Sequence, residues 1–168
     1  MAQELVSAEM ELLQSTLNGE RNHVLGILDG LSDDDLRRPM LPSGWSCLGL
    51  VNHLAVDVER FWFSQVTAGQ PMDAGESADD AWQVAADVPA AEVIERYRRE
   101  IERAESVIRA TTLDAAPRWW PEELFGSWRL NNLRQIVLHV ITETACHAGH
   151  LDAARELIDG RQWLVLTG

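Results

Sequence analysis

Three side chains that can bind a metal occur in two separate apolar segments of this chain. Glu143 and His147 are four residues apart in one segment, and His53 lies ninety residues upstream in the other. Because residues four apart stand one above the other on an α-helix, Glu143 and His147 can direct a carboxylate and an imidazole at one point. Two imidazoles and a carboxylate, with one coordination position open, form the ligand set of a catalytic divalent-metal site.

A helical wheel places these three residues at the boundary of the predicted core. His147 falls within the apolar face of its segment, and Glu143 falls at the edge of that face. His53 lies just outside the apolar arc of its own segment, beside Asp57. A charged carboxylate at the edge of a core is unfavourable without a partner, and a cation supplies one. Structural histidines held by hydrogen bonds and a solvent-facing ion pair remain open alternatives.

Four long helical segments must position these side chains, because apolar residues recur at three- and four-residue spacings in each. Ser43 or Ser46 is the candidate N-cap of the second segment, and Gly160 is the candidate stop of the fourth. The sequence predicts an all-α fold, a four-helix bundle with a long crossover connection, in a single domain of residues 1–168. The predicted helices span about 7–31, 43–66, 90–110 and 130–159, with a loop at 69–80, an irregular connection at 111–129 and a short apolar tail at 161–168.

The composition restricts the class of function. The chain has 168 residues, of which 46% are apolar and 24% charged, as expected for one globular domain. Its net charge of −13 disfavours nucleic acid and anionic membrane surfaces, which are bound through clustered Lys and Arg. No apolar run approaches the roughly 20 residues that span a bilayer, and no signal peptide is recognisable. We expect a cytoplasmic protein in which Cys47 and Cys146 are reduced, packed side chains.

Two segments of the chain resemble signatures of the DinB-like superfamily, which includes mycothiol-dependent maleylpyruvate isomerases and bacillithiol S-transferases. The first segment reads SGWSCLGLVNHLA at 43–55, followed by ERFW at 59–62. The second reads VITETACHAGHLD at 140–152, followed by RELIDG at 155–160. The resemblance covers nearly the whole chain and is greatest to the small actinobacterial branch of the superfamily.

The resemblance implies a bundle that holds a divalent metal, zinc or nickel, through one histidine of the second helix and two ligands of the last helix. Carried over by position, the ligands are His53, Glu143 and His147. His150 matches a frequent position of the family and can be a fourth ligand, an acid–base group or a residue that orients a ligand. His139 matches no functional position and is expected at the surface.

The resemblance also implies thiol chemistry. In these enzymes the metal presents the sulfur of a low-molecular-weight thiol such as mycothiol as a thiolate, and the sulfur attacks a small electrophile. The expected reaction is S-transfer or isomerisation. Arg60, seven residues after His53, is a candidate for binding an anionic substrate, and a surface ion pair with Asp57 or Glu59 is the alternative.

Two other functions remain open on the sequence alone. The chain can be a non-catalytic metal-binding bundle that acts in stress response or dimerisation, or a metal-dependent hydrolase that uses bound water. The apolar tail allows an edge strand, a docking arm or a homodimer contact. The tryptophans at 119, 120 and 128, together with Trp45, can roof the site or pack under the crossover connection.

Overall fold

The computed structural model describes residues 2–71 and 81–163, with side chains from residue 8 onward. Within these ranges the chain is helical and has no β-strand, so the prediction of an all-α fold is confirmed. None of the described helices is long and apolar enough to cross a membrane. The helices are α1 (Ala2–Ile27), α2 (Asp33–Arg37), α3 (Cys47–His53), which continues directly into a π-helical segment (Leu54–Thr67), α4 (Ala90–Ala110), α5 (Glu122–Phe125) and α6 (Leu133–Asp159).

The long helices pack as two pairs. Helix α1 lies against α6, and α3 with its π-helical continuation lies against α4. Further contacts of α6 with α3 and with the π-helical segment join the two pairs into one four-helix bundle, as predicted. All four contribute fully buried apolar side chains to a common core, among them Leu17, Val24, Leu50, Phe63, Val93, Ile108, Ile136 and Leu151.

Local capping signals set the ends of the helices that carry the candidate ligands. Ser46, one of the two predicted caps, accepts a hydrogen bond at Oγ from the Gly49 backbone N–H at 3.1 Å. Asn132 caps α6 in the same way, because its Oδ1 accepts from the Gln135 N–H at 3.0 Å. Helix α6 ends at Gly160, whose φ of 76° is the left-handed conformation that glycine adopts without strain.

The helix that carries His53 changes its winding at that residue. From Leu54 to Thr67 the chain is π-helical, with backbone hydrogen bonds to the fifth preceding residue. At its end, the Ala68 N–H donates to the Phe63 carbonyl at 3.0 Å. Because a π-helical turn holds more residues than an α-helical turn, positions read from an α-helical wheel do not apply beyond His53. Such segments are rare and often occur at functional sites.

The side chain of Arg60 has a different partner from those that the sequence suggested. Arg60 is buried, and its Nη2 donates to Oε1 of Glu100 on α4 at 2.7 Å, whereas the sequence suggested Asp57 or Glu59 as its partner. Glu100 also accepts from Arg103 at 2.8 Å and is buried. The run of charged residues along α4 predicts an exposed position for Glu100, and this prediction is wrong, because a buried guanidinium requires a carboxylate beside it.

A second buried ion pair ties α1 to the π-helical segment. Arg21 donates from Nε and Nη2 to the two carboxylate oxygens of Glu59, at 2.7 and 2.6 Å. The two side chains are only 3% and 1% exposed, so this bidentate pair lies within the core. Tyr97 of α4 is fully buried. Its burial, and to a smaller extent the negative charge of Glu59, raises the pKa of its phenol well above the usual value.

The described part of the tail docks on α1. Trp163 stacks on His23, with ring centroids 5.2 Å apart. It also approaches Gly26 so closely that a Cβ there would be 2.1 Å from the indole. These contacts agree with the docking-arm alternative as far as Trp163. The remainder of the predicted apolar tail, 164–168, and most of the predicted 69–80 loop lie outside the described residues.

The two thiols are expected to differ in reactivity. Cys47 is 1% exposed, and burial raises its pKa to about 11. Cys146 is exposed on α6, so its predicted packing in the core is wrong.

We expect iodoacetamide at about pH 8 to alkylate only Cys146 in the folded protein and both cysteines in denaturing urea, because the thiolate is the reactive form. Mass spectrometry measures the sites, with Cys146→Ser as the control; modification of native Cys47 would contradict its burial.

Candidate active site

A histidine cluster forms where the end of α3 meets the middle of α6. The ring centroids of His53 and His147 are 5.1 Å apart, and those of His147 and His150 are 5.5 Å apart. The His53 and His147 side chains are only 15% and 12% exposed. The structure therefore brings together the two imidazoles that the sequence predicted to meet, although they belong to helices far apart in the chain.

Asp57 orients the ring of His53. One of its carboxylate oxygens, Oδ2, lies 2.8 Å from Nδ1 of His53. When Nδ1 carries the ring proton and donates it to Asp57, Nε2 keeps its lone pair. Carboxylate–histidine pairs of this kind fix the tautomer and the orientation of an imidazole that binds a metal.

Trp82 forms one wall of the cluster. Its indole stacks on His53, with ring centroids 4.3 Å apart and planes inclined by 19°. The same indole lies at 5.6 Å from the ring of His147, in a steeply tilted arrangement. One aromatic side chain thus contacts both imidazoles and limits the directions in which their rings can turn.

The segment that carries Trp82 is held tightly against α3. The Asn52 side-chain amide donates to the Ala81 carbonyl at 2.7 Å, and Arg96 of α4 donates to the other end of the same amide at 2.6 Å. Gly49 permits the approach, because a Cβ at this position would lie 2.1 Å from the carbonyl oxygen of Trp82. The small residue inside α3 is therefore required by the packing of Trp82.

Glu143 lies one helical turn from His147, as the sequence predicted. Its Oε2 is 3.7 Å from Nε2 of His147, which is too long for a hydrogen bond. The Glu143 side chain is 40% exposed, so its carboxylate stands at the rim of the cluster. The carboxylate and the imidazole therefore face one another across a gap.

The types of donor, and two of the distances between them, are compatible with a divalent cation. With metal–ligand bonds of about 2.1 Å, two imidazoles on a tetrahedral ion have ring centroids about 5 Å apart, and an N and an O ligand are about 3.4 Å apart. The observed separations of 5.1 and 3.7 Å are close to these values. In residues 2–71 and 81–163, however, no three His, Cys, Asp or Glu side chains are arranged so that they could hold an ion. Binding therefore requires these side chains to turn.

The electrostatic environment keeps His147 neutral. Burial lowers the pKa of its imidazole to about 4, and the neighbouring His53 and His150 act in the same direction, while Glu143 opposes them. A neutral imidazole retains the lone pair that a metal requires. The protonation state of His147 near neutral pH is therefore the one that suits a ligand.

His150 is the most exposed histidine of the cluster. Its Nδ1 lies 3.4 Å from Nδ1 of His147, so one ring can donate a proton to the other. Its ring also contacts Trp45, with centroids 6.0 Å apart and planes tilted by 57°. Trp45 and Trp82 are thus the tryptophans whose rings contact the cluster within the described part of the chain.

His139 is half-buried rather than at the surface, where the sequence analysis placed it. Its ring packs against Trp62 at 4.7 Å and Trp128 at 5.5 Å, because the crossover connection folds onto α6. Burial lowers the pKa of His139, with Glu143 acting in the opposite direction. The other members of this aromatic cluster are Phe61, Trp119, Trp120 and Phe125.

Arg60 belongs to a different part of the bundle. It lines a cavity together with Ser64, Gln70 and Arg103, at a location that involves none of the clustered histidines. The structure therefore brings together His53, Glu143, His147 and His150 but does not place Arg60 among them. The role of Arg60 in binding an anionic substrate stays a prediction.

A family model described as mycothiol S-transferase matches residues 12–160, which span the bundle from α1 to the end of α6. The chain belongs to the mycothiol S-transferase family. Comparisons with curated proteins and with solved structures gave no match. Membership of this family implies a thiol-dependent S-transferase that uses mycothiol. The matched region contains His53, Glu143 and His147, the three residues predicted as ligands.

Sequence reasoning proposed His53, Glu143 and His147 as ligands in this mycothiol S-transferase family member but missed the contacts that orient the histidines. Asp57 follows His53 by four residues, which is the same spacing signal that linked Glu143 to His147. The sequence around Trp82 contains no comparable spacing pattern, because only tertiary contacts bring its segment back to α3. Gly49 inside an otherwise apolar helix is the one local sign that another part of the backbone approaches there.

Proposed function

We propose that this mycothiol S-transferase family member uses a divalent metal, zinc or nickel, to transfer mycothiol or a similar thiol to a small electrophile. The proposed ligands are His53, Glu143 and His147. Thiol-dependent S-transfer follows from family membership. The observation that supports the metal is the approach of His53 to His147, with ring centroids 5.1 Å apart across two helices.

The chemistry assigned to the site is the activation of a thiol. A divalent cation bound there lowers the pKa of a coordinated thiol, so that the sulfur is available as a thiolate near neutral pH. In the transfer, the sulfur forms a bond to the electrophilic carbon while the leaving group departs with the electron pair of the bond that breaks. The thiol proton passes to water. Trp82 and Trp45 flank the histidines and would keep water from two sides of a thiol bound there.

His150 is proposed to orient His147. If His147 binds the cation through Nε2, its proton lies on Nδ1, and Nδ1 of His150, 3.4 Å away, is the acceptor. The remaining ring nitrogen of His150 then carries a proton and has no free lone pair. This arrangement favours an orienting role for His150 over the ligand and acid–base roles that the sequence left open.

Removal of the Asp57 carboxylate is expected to weaken metal binding without abolishing it. We expect Asp57→Ala to raise the Kd for zinc about 10- to 100-fold, because the ring of His53 loses the acceptor that fixes its tautomer. Competition with a chromophoric chelator measures this Kd. Asp152→Ala is a matched control, since Asp152 also contacts a histidine, His23, but away from the cluster. An unchanged Kd in Asp57→Ala would contradict the orienting role.

The proposed function is tested on purified, metal-free protein. Titration with zinc and nickel, followed by calorimetry, is expected to give one equivalent of bound ion. Conjugation of 1-chloro-2,4-dinitrobenzene is then measured with mycothiol, with cysteine and without thiol, before and after metal is added. We expect turnover only when metal and thiol are both present.

The other outcomes separate the alternative functions. Metal binding without turnover would favour a non-catalytic metal-binding bundle. Metal-dependent cleavage of an activated ester in the absence of thiol would favour a hydrolase. Absence of saturable metal binding would refute the metal site and leave a thiol transferase that works by another route.

A further inference from the structure

A group of adjoining cavities lies at the end of the π-helical segment, away from the histidine cluster. Their volumes are about 410, 450 and 690 Å³, and all three are lined by Gln70. The largest is within the range of sites that bind small organic molecules. Arg118, Trp119, Gln65 and Gln70 contribute its functional side chains. A ligand bound in these cavities would therefore not contact the clustered histidines.

Among the described residues, the charged side chains that line these cavities are all arginines, although the whole chain has a net charge of −13. Arg60 lines the smallest cavity and Arg103 the two smaller ones, and both arginines donate to the same carboxylate, that of Glu100. Arg118 lines the two larger cavities and makes no side-chain hydrogen bond or ion pair with the described residues. An anion that enters the largest cavity therefore meets a guanidinium to which no carboxylate of the described residues is paired.

The backbone holds Arg118 and Trp119 in place at this cavity. The Arg118 and Trp119 N–H groups donate to the carbonyls of Thr67 and Val66, at 3.4 and 3.2 Å. Gly69 adopts a φ of 67°, and a Cβ there would lie 3.0 Å from Cβ of Arg118. The close packing of these two segments fixes the backbone that carries the guanidinium and the indole. Less conformational entropy of the protein is therefore lost when a ligand binds.

Trp119 supplies an apolar surface beside the guanidinium. Its indole is 45% exposed and contacts Phe61 on one side, with ring centroids 6.2 Å apart. The side-chain amides of Gln65 and Gln70 line the same cavity and can donate hydrogen bonds. A guanidinium, an aromatic face and two amides match a carboxylate that is joined to a planar apolar group.

We propose that this cavity is a second binding site, for a small carboxylate with a planar apolar body. The guanidinium of Arg118 pairs with the carboxylate, the indole of Trp119 packs against the planar body, and Gln65 or Gln70 donates to the remaining oxygen. None of these residues belongs to the histidine cluster. The proposal of this second site therefore depends neither on the metal nor on the thiol that is assigned to the histidine cluster.

The test uses metal-free protein, so that no cation at the histidines can hold the probe. The probe is 2-naphthoate, and the uncharged 2-naphthalenemethanol is its neutral counterpart; calorimetry measures both affinities. We expect the carboxylate to bind saturably and at least about tenfold more tightly than the alcohol. The indole N–H signal that disappears from the NMR spectrum in Trp119→Phe is expected to shift when the probe is added.

Variants locate the site. Arg118→Ala is expected to weaken 2-naphthoate binding at least about tenfold and to leave binding of the alcohol unchanged. Arg99→Ala is the matched control: it removes the same charge from an exposed arginine of α4 that lines none of these cavities, and it is expected to have no effect. Equal losses in the two variants, equal binding of acid and alcohol, or absence of saturable binding would overturn the proposal.

Discussion

His147→Ala is expected to abolish stoichiometric metal binding and to slow thiol transfer at least about 100-fold. The variant removes one of two imidazoles whose ring centroids are 5.1 Å apart, and two remaining donors hold an ion weakly. Without the cation, the pKa of the thiol returns to about 8.5, so that only about 3% is thiolate at neutral pH. Loss of the fixed position of the sulfur adds to that factor.

Metal analysis by mass spectrometry and the conjugation assay measure the two effects of this substitution. His139→Gln is the matched control, since His139 lies on the same helix two turns away and packs among tryptophans instead of the clustered histidines. We expect the control to keep its metal and most of its rate. A His147→Ala protein that retained both properties would exclude His147 as a ligand.

Glu59→Ala is expected to produce the largest loss of stability, about 3–5 kcal/mol in the free energy of unfolding. The substitution leaves the guanidinium of Arg21, which is 3% exposed, inside the core without its carboxylate partner. It also removes both bonds that connect α1 to the π-helical segment at this point, at 2.7 and 2.6 Å. Urea unfolding monitored by circular dichroism measures the change.

Two further variants distinguish the cost of leaving a charge buried without a partner from the cost of losing the ion pair itself. The double substitution Arg21→Met with Glu59→Leu is expected to recover most of the lost stability, because an apolar pair of similar volume needs no charge compensation. Glu9→Ala removes one of the two carboxylate partners of Arg134 in a more exposed pair, where solvent and Asp114 compensate, and is expected to have a much smaller effect. Equal losses in Glu59→Ala and Glu9→Ala would show that burial of the pair is unimportant.

The ends of the helices were predictable because their signals are local. Ser46 and Gly160 cap helices through bonds and backbone angles that involve only nearby residues. The spacing of Glu143 and His147 is likewise a property of one helix, and the structure keeps the two side chains within 3.7 Å. Such features need no knowledge of how the helices pack.

Predictions from the sequence were wrong where a second element decides the environment of a side chain. Glu100 was expected at the surface because its own helix offers no reason to bury it, whereas Arg60 from the neighbouring segment does. His139 was expected at the surface because the crossover that covers it has no regular pattern. The ion-pair partner of Arg60 was missed because Glu100 belongs to another helix, α4.

The amino-acid sequence by itself determined the helices of this bundle and the donor types that it carries, because hydrophobic periodicity and capping are written within each segment. The tertiary structure alone decided that Trp82 covers His53 and His147, and that Arg118 and Trp119 face a separate cavity. The physical reason is that the rotation of a helix about its axis and the path of a connection are set by the surfaces they bury. Those surfaces belong to partners that a single segment does not contain.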